Sequence, residues 1–131
     1  MRFAILVVLA CGFADGQQSR TLTVEEAHQL VEAAIPNVTK QLPGFGLEDF
    51  PVNDPPRFYF VEAAWDNPTG SVVYGNYAVD RATGDVWSAV ICQRITSKRL
   101  RAEQLALRKR IGLSAARYKA ARQPGPMCES N

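Results

Sequence analysis

A single histidine, three cysteines and no apolar stretch approaching a membrane span mark this chain of 131 residues. A spanning helix needs about 20 apolar residues, and the apolar run from Phe3 to Ala10 is far shorter. With His28 alone, a histidine-based nucleophile system has one candidate base, and the helical spacing places it on a polar flank, where a plain surface histidine is the simpler reading. Cysteine and histidine are too few for a zinc site, so neither a metal nor another cofactor is expected. Nine glycines and eight prolines without a repeat exclude a collagen-like chain, and three cysteines exclude a disulfide-dense scaffold. Gly44-Phe45-Gly46 lacks the lysine and the strand-to-helix context of a phosphate loop. What is present is 47% hydrophobic and 21% charged residues in 14.4 kDa, the size of one domain.

The first fourteen residues, MRFAILVVLACGFA, carry Arg2, an apolar run, and small residues Gly12 and Ala14 before a polar stretch. This predicts a signal peptide over 1–14, which leaves 15–131 as one domain, periplasmic or secreted after cleavage. Val8-Leu9-Ala10-Cys11 also matches a lipobox, so a lipoprotein anchored at Cys11 is the alternative. Removal of the signal leaves Cys92 and Cys128, which are expected to form a disulfide bond in an oxidising compartment. Such a bridge closes a loop of about 37 residues and stabilises the fold by roughly 3 to 4 kcal/mol.

In the remaining chain, Thr23-Val24-Glu25-Glu26 fits a capping box, and Val24, Ala27, Leu30, Val31, Ala34 and Ile35 recur at helical spacing until Pro36. Residues 36–56 are rich in proline and glycine and predict an ordered loop with at most a short strand. From Arg57 the segments RFYFVEAAW, SVVYGNYAVD and DVWSAVI predict three strands, joined by turns at Asp66–Gly70 and Arg81–Gly84. Alternation places Tyr59, Val61, Ala63 and Trp65 on one face, with Val73, Tyr77 and Val79 together on the next strand. The opposite residues Phe58, Phe60, Val72 and Tyr74 are apolar too, so that side is covered either by another element or by a partner. Beyond Cys92, Leu100, Ala106, Leu107 and Ile111 form a helical stripe ended by Gly112, and Ser114 caps a second short helix carrying Tyr118. The expected class is α+β: an N-terminal helix packed on a three- or four-stranded antiparallel meander, followed by C-terminal helices.

Charge is divided along the chain. Residues 15–93 hold eleven acidic and four basic side chains, whereas 94–122 hold ten basic and one acidic. This basic helical extension suits an acidic protein or an anionic membrane surface; nucleic acid is disfavoured, because no aromatic residues alternate with the bases and an exported chain rarely meets it. Asp66, Asp80 and Asp85 lie at strand ends, where a carboxylate pair would serve a small periplasmic hydrolase, yet each also has a turn-forming role. Trp65, Asp66, Asp80, Asp85, Arg101 and Arg108 are the candidate partner-binding residues, and no residue is assigned as catalytic.

The hairpin Tyr77-Ala78-Val79-Asp80-Arg81-Ala82-Thr83-Gly84-Asp85-Val86-Trp87 resembles one found in small exported bacterial domains. Over residues 21–91 the chain is similar to the PepSY and cystatin-like group, in which one helix packs on a curved antiparallel sheet. It also resembles the nuclear-transport-factor-like immunity proteins that neutralise toxins from neighbouring bacteria. The resemblance implies binding or inhibition without catalysis: an inhibitor or immunity-type factor against a secreted toxin or envelope enzyme. It carries over no site residues beyond the hairpin, and the basic extension departs from it. The alternative is an envelope-associated structural protein that holds anionic surfaces through its basic helix.

Overall fold

The computed structural model describes residues 19–50 and 57–126, so the expected signal peptide, Cys11 and Cys128 lie outside the described residues. The first helix, α1 (Val24–Ala34), begins as its sequence predicts: the Thr23 side chain accepts from the Glu26 N–H, and the Glu26 carboxylate accepts from the Thr23 N–H. It ends at Ile35, because Pro36 cannot continue it. Ala27, Leu30, Val31, Ala33 and Ile35 are buried.

The sheet has five antiparallel strands in the order β1 (Gly46–Asp49), β2 (Phe58–Asn67), β3 (Gly70–Asp80), β4 (Val86–Ser88) and β5 (Gln93–Arg94). The α+β class is as expected, with two more strands than the three read from strand-like sequence. β1 is a four-residue piece inside the glycine- and proline-rich loop, and β5 has only two residues. Neither is long enough to show a period. The segment expected as a third strand through Ile91 pairs only as far as Ser88; residues Ala89 to Cys92 turn back into β5, and Cys92 takes the left-handed φ of 54° that this reversal requires.

α1 covers the face that carries Tyr59, Val61, Ala63, Tyr77, Val79 and Val86, forming the core with Leu22 and with Leu100, Leu107, Ile111 and Leu113 from beyond the sheet. Each fully buried aliphatic side chain contributes about 1.5 to 3 kcal/mol, so this one layer supplies most of the driving force. Pairing is regular from Phe58↔Asp80 to Ala63↔Gly75, then shifts to Ala64↔Val73 and leaves Tyr74 as an extra residue on β3. This bulge overturns one sequence expectation. Val73 leaves the side of Tyr77 and joins that of Ala64 and Phe60, where it is half exposed.

α2 (Lys98–Arg110) is capped by Ser97 and packs beside α1. Its inner stripe is Leu100, Gln104, Leu107 and the adjoining Ile111; Ala106, expected to face inward, is exposed. Gln104 takes the inward position because its amide donates to the Gly84 carbonyl at 2.8 Å. Gly112, with φ 74°, ends the helix, and α3 (Ala115–Ala121) follows its Ser114 cap. No helix among the described residues is long and apolar enough to cross a membrane.

Candidate functional site

Two places in this fold gather polar chemistry, and they have opposite character. The first is the β3–β4 turn. Asp80 and Asp85 are 1% and 3% exposed, which for carboxylates demands compensation. Asp80 accepts from the Ala82 and Thr83 N–H groups and from the Arg57 guanidinium, at 2.8, 3.3 and 2.9 Å. Asp85 accepts from Arg108 at 3.1 Å and from the Tyr118 hydroxyl at 2.9 Å. Arg108 also donates to the Thr83 carbonyl and stacks 3.7 Å from the Tyr118 ring centroid. Arg57 donates a further bond, at 2.6 Å, to the Ala121 carbonyl.

The turn is therefore tied to α2, α3 and the start of β2. Burial, followed by the Asp85 hydrogen bond, pushes the Tyr118 hydroxyl above the ordinary tyrosine range and keeps it a donor. Three of the six candidate residues, Asp80, Asp85 and Arg108, are gathered here, and what their geometry does is fold the chain. His28, the sole histidine, pairs across from α1 to Asp49 on β1 at 2.6 Å. Among the described residues no group of three or more metal-ligating side chains comes together.

The other candidates are dispersed. Trp65 lies near the far end of β2. Asp66 beside it donates its N–H to the Pro43 carbonyl at 2.7 Å and places its carboxylate where a Cβ on Gly44 would be. Arg101 is on the exposed side of α2. A shallow groove of about 550 Å³ runs between α2 and α3, lined by Leu105, Lys109, Leu113 and Tyr118 among others.

The second place is the sheet face opposite α1, built from alternation and register: directly paired residues share a face. One row is aromatic. Phe60 pairs with Ala78, which pairs with Trp87, while Phe50 continues β1 and donates its N–H to the Phe60 carbonyl. The next row sets Glu48 directly opposite Glu62, followed by Asn76. The last row is Gly46, Ala64 and Val73.

Toward Trp87 the face closes: Ala78 is fully buried and Trp87 is half-buried. Toward the bulge it opens, with Val73 50% exposed, and Phe50 at the β1 side 55% exposed. β4 pairs only with Tyr77 to Val79, so among the described residues no strand pairs with the outer edge of β3 from Gly70 to Gly75. Sequence reasoning noted that this side was apolar, but it missed Glu48, Glu62 and Phe50. The cross-strand acid pair depends on the register of β1, which nothing in its four residues reveals.

No family model matches the chain, and no curated protein matches it. Among solved structures, it is similar to a chain in the structure of a type VI secretion system effector-immunity complex from Pseudomonas protegens. The two share 28% sequence identity at a TM-score of 0.62, over 76% of this chain and 85% of the other.

Proposed function

We propose that this chain is an immunity-type protein that binds and neutralises a secreted toxin in the periplasm. The observation that carries the reading is the likeness to a chain of an effector-immunity complex, which extends through both sequence and fold. The immunity role is favoured over the effector role by the state of the reactive side chains. Asp80 and Asp85 are each buried and held by an arginine and further donors. The PepSY and cystatin-like kinship rests on the hairpin sequence and is not needed for this reading.

Export through residues 1–14 and a Cys92 to Cys128 bridge belong to the same proposal. Their support is the composition of the N-terminus and the even cysteine count after cleavage.

The test is to mix the mature chain with the toxin encoded by the adjacent gene and to co-express the two in the periplasm. A stoichiometric complex by size exclusion and restored growth are expected. No complex, together with hydrolysis of cell-wall material by this chain alone, would overturn the reading. A second reading, attachment to anionic membrane surfaces, is favoured by the exposed Lys98, Arg101 and Lys109 on α2. It requires salt-sensitive binding to phosphatidylglycerol vesicles that is lost on neutralising Lys98, Arg101 and Lys109.

A further inference from the structure

We infer that the partner docks on the open sheet face opposite α1 and inserts a basic side chain, arginine or lysine, between Glu48 and Glu62, with Phe50 and Val73 as the flanking apolar contacts. This rests on the toxin-binding reading above and names the surface and the chemistry of its occupant.

Two carboxylates directly across an antiparallel pair repel each other, and a sheet that served only folding would gain from replacing either one. Neither Glu48 nor Glu62 makes an ion pair among the described residues, whereas Glu26, Asp80 and Asp85 all have arginine partners. The repulsion is therefore retained without internal compensation, as expected where a cation arrives from outside. The surroundings fit a binding centre. Phe50 is exposed on one side of the pair, and Val73 is exposed on the other. Asn76 adds a polar group in the same row. Acid at the centre with apolar groups beside it lets a long basic side chain lay its stem on Val73 or Phe50 while its head meets both carboxylates.

A second copy of this chain is a poor occupant, since two such faces would oppose four carboxylates. Lys98 and Arg101 are exposed on α2, which packs beside α1, and serve as the control positions.

The experiment uses the mature chain and the adjacent-gene toxin, with affinity measured calorimetrically at low and moderate salt. The double variant Glu48→Gln/Glu62→Gln is expected to weaken binding at least tenfold and to flatten its salt dependence, while its Tm stays equal to or above that of the parent. Val73→Asp is expected to weaken binding similarly, and Lys98→Gln/Arg101→Gln to change it less than twofold. If the parent binds tightly and both sheet-face variants bind within twofold of it, this face is not the docking site, and the immunity reading survives. Loss of binding confined to the α2 variant has the same meaning. If the parent itself does not bind, the functional reading fails, and this inference falls with it. A parent homodimer dissociated by Val73→Asp would assign the face to self-association and overturn the proposal.

Discussion

At the scale of single residues, the charged groups divide by whether the fold has already answered them. Asp80 has an arginine and two backbone N–H groups. Removing it strips the turn of its acceptor and leaves Arg57 with one partner fewer. Asp80→Ala is expected to cost about 2 to 4 kcal/mol in urea unfolding, and the isosteric Asp80→Asn less, because its amide oxygen still accepts from the turn. Glu26 behaves differently because its effect is tied to pH. The Arg20 hydrogen bond, against the opposing effect of burial, holds its carboxyl at about 2 in place of 4.5. A carboxyl lowered on folding stabilises the native state above its unfolded pKa. That contribution is lost as pH falls from about 4.5 through 2. Stability measured against pH should decline across that window, and Glu26→Gln should flatten the decline. Half of Arg20 is in water, so the gain is on the order of 1 kcal/mol.

At the scale of elements, the turns and caps were legible because they depend on chemistry within a few residues. The Thr23 box, the Ser114 cap and the Asn67 side chain accepting from Thr69 are all local hydrogen bonds. Gly84 joins the local and the distant. Its φ of 72° favours glycine, and a Cβ there would lie 3.2 Å from the Leu30 side chain of α1. Gly84→Ala should therefore lower stability by about 1 to 2 kcal/mol or more in thermal unfolding, with the strain of the backbone and the crowding of α1 acting together. The bulge at Tyr74 was not legible. Gly75 pairs with Ala63 on the helix side, where the Tyr77 ring covers the space a side chain would fill, and Val73 is then free to turn outward. Alternation read along β3 alone predicts the opposite face, because the extra residue shows only against a partner strand.

At the scale of the whole molecule, the two-signed charge of the sequence is partly answered inside the fold. Arg110 of α2 lies 3.8 Å from Glu26 of α1, and Arg108 reaches Asp85. The acidic and basic halves thus meet along the α1–α2 contact, and the Glu48–Glu62 pair on the other side of the sheet receives none of that compensation. The proposed Cys92–Cys128 bridge also belongs to this scale, since it would tie the last turn of the sheet to the tail after α3. Intact mass of the exported protein should be 2 Da below that of its reduced form and should lack residues 1–14. Reduction should lower the unfolding free energy by about 3 to 4 kcal/mol.

By itself the sequence determined the class and order of the principal elements: a capped amphipathic helix, strands with their two turns, then two capped helices. It did so because caps, turns and periodicity are set by neighbours along the chain. Only the tertiary structure decided which carboxylates are buried and answered and which are set opposite each other without a cation. Burial and cross-strand pairing join residues far apart in sequence, so Asp80 and Glu62, alike as aspartate and glutamate in a strand, acquire opposite roles from the faces they share and the cations within reach.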